Sequence, residues 1–239
     1  MNVNPTVNQR NRVVHVSLPF EGPSEFEQTE EYLESKGFQL FLKRAFDISV
    51  SAGLILLFSP ILIVVTLIIK LTSKGAVLYS NERVGLGGTH FRCHKFRSMV
   101  TDQAVKVEDH KIALEGQEKG ILHKSKTDSR ITWIGKIIRK TSIDELPQLF
   151  NVLTGDMSII GPRPLVPFML KPYPEFSAVR NLVRPGITGL WQIRDRENNT
   201  SAEFMIEHDT EYIQNYSFWL DLKILFSTPF VVISGKGAY

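Results

Sequence analysis

The chain has 239 residues, 43% of them hydrophobic and 22% charged, a globular composition with room for one large domain or two small ones. A formal net charge of +3 is too weak to argue for nucleic acid as a partner. The single cysteine, Cys93, excludes an internal disulfide and is compatible with a reducing compartment.

Residues 1–40 are polar and carry glutamates from Glu21 to Glu34, with no charged segment running directly into an apolar one, so no signal peptide is expected. They read as a mobile N-terminal tail with a short helix over Ser24–Ser35, ahead of a membrane-associated domain over 41–239. The stretch ISVSAGLILLFSPILIVVTLIIK follows. It is free of charge from Ile48 to Ile69, and as a helix it reaches about 33 Å, enough for a hydrocarbon core of about 30 Å. Pro60 sits near its middle, where a missing N–H bends a helix. Lys43 and Arg44 precede the stretch and Lys70, Lys74 and Arg83 follow it, so the positive-inside bias assigns no orientation. Three readings stand at this point: a spanning helix with a tolerated kink, a re-entrant helix over about 46–71 that dips into one leaflet and returns, and a buried helix of a soluble domain, for which so long a charge-free run is unusual.

Beyond it, Ala76–Tyr79 and His90–Phe96 alternate like the strands of a hairpin joined by a Gly-rich turn. Gly85, Gly87 and Gly88 form no phosphate loop, because no Lys-Ser/Thr pair follows them. His90, Cys93 and His94 lack a second ligand pair at zinc spacing. Residues 102–126 read as a polar surface helix and loop. Ile131, Ile134, Ile137 and Ile138 recur at helical spacing, and a second helix is expected from Ser142 to a C-cap at Gly155. RPLVPFMLKPYPEF is too rich in proline for a long helix. The stretch from Trp219 to Phe226 suits either a core face or an interfacial helix.

Asp144 and Glu145 stand side by side in TSIDELPQLF. One reading is a capping box, with Ser142 as N-cap and Glu145 reaching back, although Pro147 then falls one turn in. With Asp144 as N-cap, Pro147 lies within the first turn. Either version puts both acids at the positive end of a helix, which favours their ionised form. The alternative is chemistry: an ionised aspartate is a nucleophile, and an ionised glutamate is a hard oxygen ligand for Mg²⁺. Lys95, Arg97, Arg130, Arg139 and Arg163 supply cations in the same part of the chain, and Pro162 and Pro164 stiffen Arg163 for bidentate phosphate contact.

The series KRAFDI, the Ser59-Pro60 membrane segment, ERVG, KFRSM, DSRIT, RKTSIDELPQLFNVLTGDMSIIGPRP, RPGITGLWQI, YSFWLDLKIL and GKGAY resembles the bacterial sugar transferases of the monotopic phosphoglycosyl transferase superfamily, from about Lys43 to Tyr239. The last two motifs look most like the hexose-1-phosphate transferases of exopolysaccharide and O-antigen pathways. The resemblance implies an α+β, mostly helical monotopic membrane protein with a re-entrant, Pro-kinked membrane helix and a small β-hairpin. It sits in the bacterial inner membrane with its catalytic domain on the cytoplasmic face, contacts membrane lipid and is a possible homo-oligomer. The implied reaction moves a sugar-1-phosphate from a UDP-sugar to undecaprenyl phosphate with release of UMP. Asp144 is then the nucleophile that carries the phospho-sugar, Glu145 the catalytic ligand of Mg²⁺, and Arg163 a nucleotide or phosphate contact. Lys95, Arg139 and Asp209 match further substrate-binding positions. The sequence departs from the family at Asn81, at IRDRENN and at Leu165, none of which touches the acidic pair.

Overall fold

A computed structural model describes residues 23–100, 130–194 and 202–233. The expected surface helix and loop over 102–126 and the terminal GKGAY lie outside the described residues, as do residues 1–22. Helix α1 (Pro23–Ser35) forms where the short helix is expected. It is packed rather than tail-like: Leu33 is buried and the Tyr32 hydroxyl donates to the Tyr216 carbonyl at 2.7 Å.

Helix α2 (Gly37–Thr72) is helical throughout, with Pro60 inside it, and is longer than the expected 46–71. Among the described residues it is the one helix long and apolar enough to cross a membrane, and only 11% of its most apolar stretch is buried. Its two ends, however, dock on the body. Near the start, Lys43, Asp47 and Ser51 are buried, and near the finish Val65 and Ile69 pack against Phe96, Ile134 and Ile138. Arg97 donates to the carbonyl of Ser73 at 2.9 Å and so closes the C-terminal end of α2, a structural duty for a cation counted above with the phosphate ligands.

Strands β1 (Leu78–Val84) and β2 (His90–Phe96) pair antiparallel, with Tyr79 opposite Lys95 and Val84 opposite His90. β1 continues past the expected Tyr79, because polar Ser80 to Arg83 can occupy a strand whose backbone bonds are made by β2. Helix α3 (Trp133–Lys140) starts at Thr132, whose hydroxyl accepts from the Gly135 N–H at 2.9 Å, and buries Ile134 and Ile138. Helix α4 (Gln148–Thr154) ends at Gly155 with φ 95°, the left-handed cap expected of that glycine.

The remaining elements are short until the C-terminal helices. They are β3 (Ser158–Ile160), α5 (Pro167–Leu170), α6 (Pro174–Arg180), β4 (Gly186–Thr188), α7 (Leu190–Arg194), α8 (Ala202–Gln214) and α9 (Phe218–Ile233). β3 and β4 pair in parallel. A side chain on Gly161 would meet the Arg184 carbonyl at 2.4 Å, so only glycine lets GPRP follow β3 this closely. α9 has the core face expected of its segment, and a second, exposed apolar face. Ile224 is fully buried, while Trp219, Phe226 and Phe230 are exposed.

A polar cluster joins α2 to this frame. Lys43 donates to the Ile160 carbonyl and to Asp221 of α9, both at 2.8 Å, and Tyr212 donates to the other oxygen of Asp221 at 2.8 Å. Asp47 accepts from the Ser158 hydroxyl at 3.0 Å and the Ile159 N–H at 2.9 Å. Arg44 donates to the carbonyls of Val152 and Leu153, neutralising the C-terminal end of α4. KRAFD thus binds the membrane-type helix to the strand that leads into GPRP.

Candidate active site

The acidic pair does not cap a helix. Ser142 takes a left-handed conformation (φ 56°) and makes no side-chain cap bond. Asp144 and Glu145 lie in a 3-10 turn, Ile143–Glu145, and Pro147 itself is the N-cap of α4. The capping reading therefore falls. The Ser-x-x-Glu pattern is local, whereas the chain must reverse between α3 and α4, and it does so at Ser142. Both carboxylates are left to the space between the turn and the hairpin.

Strand alternation turns Phe91, Cys93 and Lys95 to the same side of β2. Phe91 and Cys93 are buried, and the Lys95 ammonium donates to Glu145 at 2.6 Å. Asn151 fixes the distance between the strand and the acidic turn. Its side chain accepts from the His94 N–H at 3.0 Å and donates to the Arg92 carbonyl at 2.8 Å, continuing the ladder from α4. Burial, then the charge of Glu145, pushes the Asp144 carboxyl up to about 6, against the pull of Lys95 and Arg139. This corrects the expectation that a helix terminus holds Asp144 firmly ionised. The geometry is that of two carboxylates sharing one site, where the charge of Glu145 opposes ionisation of Asp144.

On the other side stands GPRP. The Arg163 guanidinium lies over the Trp191 ring at 5.2 Å. Its backbone is held from beneath: Arg180 donates to its carbonyl, and Asp209 accepts from its N–H. Arg180 and Asp209 pair at 3.5 Å with side chains 2% exposed. Arg83 donates to the Pro164 carbonyl at 2.9 Å. Burial, then the neighbouring Arg163 charge, lowers Arg83 to about 10, so it stays a cation at neutral pH.

A model of the bacterial sugar transferase family matches residues 38–235. The chain belongs to that family. It is 43% identical over 204 residues to the undecaprenyl-phosphate galactose phosphotransferase of Salmonella typhimurium, covering 83% of this chain and 42% of that protein. It is 40% identical over 210 residues to the UDP-glucose:undecaprenyl-phosphate glucose-1-phosphate transferase of Klebsiella pneumoniae, covering 85% of this chain and 42% of that protein. To the exopolysaccharide production protein ExoY of Rhizobium meliloti it is 39% identical over 199 residues, covering 82% of this chain and 88% of that protein. The chain thus spans less than half the length of the first two.

In this bacterial sugar transferase, Asp144, Glu145, Lys95 and Arg139 come together, and Arg163 stands on the loop that Arg83 braces. Asp209 is placed otherwise. It lies beneath the Arg163 loop, 1% exposed, and its contacts are with Arg180 and the Arg163 backbone. Arg83, Asn151, Arg180 and Trp191 were not singled out from the sequence as site residues. ERVG and ITGLWQI contain two of them, and their signal is the motif rather than any local pattern. Among the described residues no three His, Cys, Asp or Glu side chains cluster as a metal site. Mg²⁺ ordinarily takes one or two carboxylates and fills its shell with substrate phosphates and water, so the Asp144–Glu145 oxygens fit it.

Proposed function

We propose that this protein transfers a sugar-1-phosphate from a UDP-sugar to a polyprenyl phosphate of the undecaprenyl type, as the initiating step of exopolysaccharide, capsule or O-antigen synthesis. The observation that carries this reading is the acidic pair itself. It is released from capping, set against Lys95 and Arg139, and lies close to a helix of membrane length.

The ionised Asp144 carboxylate attacks the β-phosphorus of the UDP-sugar. The bond from that phosphorus to the bridging oxygen breaks, UMP leaves, and the sugar-phosphate is held as an acyl phosphate on Asp144. A phosphate oxygen of the lipid acceptor then attacks the same phosphorus, the aspartyl bond breaks, and the polyprenyl diphospho-sugar departs with Asp144 restored. A lipid phosphate is already ionised at neutral pH and needs no general base, which favours a nucleophilic role for Asp144. Arg163, stiffened by its prolines and stacked on Trp191, suits the nucleotide phosphate. Lys95 and Arg139 suit the non-bridging oxygens on which charge is spread. Glu145 would hold Mg²⁺, whose chemistry there is neutralisation of the diphosphate charge.

The proposed membrane arrangement rests on α2. Its two ends dock on the same body, which supports a helix that enters one leaflet and returns rather than one that crosses. Exposed Trp133 and Ile137 on α3 and Phe226 and Phe230 on α9 are further apolar groups for a lipid surface. Tags at the N-terminus and after Tyr239 are expected to report the same, cytoplasmic side; an N-terminus outside the membrane would refute the re-entrant arrangement. The enzymatic test is a panel of UDP-sugars with Mg²⁺ and no lipid. One of them should release UMP and label the protein at Asp144 to no more than one equivalent, with ping-pong kinetics once acceptor is present. No UMP release until lipid is added would replace this mechanism with a direct displacement.

A further inference from the structure

A cavity of 210 Å³ opens beside Glu145. Leu54 of α2, Leu149 of α4, Ile187 of β4, Ile193 of α7 and Leu225 of α9 give it an apolar wall. Two hydroxyls on that wall, Thr188 and Thr228, bond each other at 2.9 Å, and the Gln192 amide donates to the Ile187 carbonyl at 3.3 Å. Of these atoms only the Gln192 Oε1 has no partner, so the lining offers few polar contacts to a sugar or nucleoside rich in hydroxyls. Hydrocarbon fits it. Two of the helices that build the wall also carry exposed apolar side chains next to it: Leu56 and Leu57 on α2, Phe226 and Phe230 on α9. The cavity therefore lies between two helices that carry this apolar surface and Glu145 of the carboxylate pair, where Lys95 and Arg139 supply positive charge. An amphiphile with an anionic head and an apolar tail matches that gradient from end to end.

We propose that this cavity seats the head-proximal stretch of the polyprenyl chain of the acceptor, directing its phosphate to Asp144. The assignment rests on the proposed function and adds a location for its second substrate. Pockets that enclose a whole small ligand are about 300–1,000 Å³, so this one takes only the first part of the chain and leaves the remainder in the bilayer along α2.

A polyprenyl phosphate carrying a diazirine in its first isoprene unit tests the location on the wild-type protein in nanodiscs. Crosslinks are expected on the peptides containing Ile193 and Leu225. Excess undecaprenyl phosphate should displace them and excess phosphatidic acid should not. In steady state, Leu225→Trp and Ile193→Trp should raise the acceptor KM by about tenfold through lost burial of hydrocarbon. Labelling of both variants by the diazirine probe should fall by a similar factor. Crosslinks confined to α2, equal displacement by phosphatidic acid, or an unchanged acceptor KM in both variants would overturn the cavity assignment alone. A wild-type protein that releases no UMP with any UDP-sugar would overturn the enzymatic reading and this assignment with it.

Discussion

Asp144 and Asp209 are both pushed up to about 6, in each case chiefly by burial. Their surroundings differ. Asp144 has another carboxylate, Glu145, as its next cause, and part of its surface is open. Asp209 has only cations around it: Arg180 and Arg163 pull it down, and it is sealed beneath the GPRP loop. The first arrangement keeps two like charges together at an accessible place, a repulsion that an incoming cation or a reaction at phosphorus relieves. The second holds a backbone. A displaced carboxyl is thus no marker of catalysis by itself, and what it faces decides its role.

The same substitution at the two positions should separate them. Asp144→Asn is expected to lower turnover by about 10⁴-fold or more, as loss of a nucleophile does, with a melting temperature equal to or above wild type because the repulsion with Glu145 is gone. A residual rate within tenfold of wild type would end its assignment as nucleophile. Removing the cation beneath the loop acts on stability instead. Arg180→Met leaves Asp209 buried without its partner and should cost about 3 kcal/mol in denaturant unfolding of the protein in detergent. A loss below about 0.5 kcal/mol would mean that the pair does not hold this region. Asp209→Asn is the milder change, since the amide oxygen can still accept from the Arg163 N–H. Turnover should fall by about tenfold at most; a loss as deep as that of Asp144→Asn would return Asp209 to the substrate. The smallest effect is in pH. In the proposed mechanism the Asp144 carboxyl has to be ionised to attack, so kcat/KM for the UDP-sugar should fall as pH drops through about 6. Lys95 holds that value down, so Lys95→Met should move the acidic limb of its residual activity to higher pH. A limb that stays in place would show that another group titrates.

The sequence revealed what depends on neighbours along the chain. Ile134 and Ile138 announced α3 by their spacing, Gly155 announced the end of α4, and the alternation of HFRCHKF announced β2. The acidic pair was visible as a motif. Local pattern failed at Ser142, where a capping signature met a chain reversal that only the packing of α3 and α4 requires. It also failed for contacts made across long separations. Nothing near Asp209 reveals Arg180, nothing in KRAFD reveals that its lysine and aspartate are both buried against β3 and α9, and Asn151 reads as an ordinary helix residue until β2 lies alongside it. Glutamate-rich α1 reads as tail because its inward residues, Phe26, Thr29, Tyr32 and Leu33, are outnumbered by polar and acidic ones.

The Lys43–Asp221 contact joins residues 178 positions apart, and this imposes an order on biogenesis. At about 5–20 residues per second, the ribosome adds the aspartate roughly 10–35 s after the lysine. Through that interval α2 is already available to the membrane while its ammonium has no carboxylate to meet, and a long alkyl stem lets such a group stay at the aqueous boundary. Under the proposed membrane arrangement entry of α2 would come first, and its buried lysine gains a carboxylate partner only when α9 is made. Nascent chains that stop before α9 would leave the Lys43 ammonium with the Ile160 carbonyl but with no carboxylate to neutralise it.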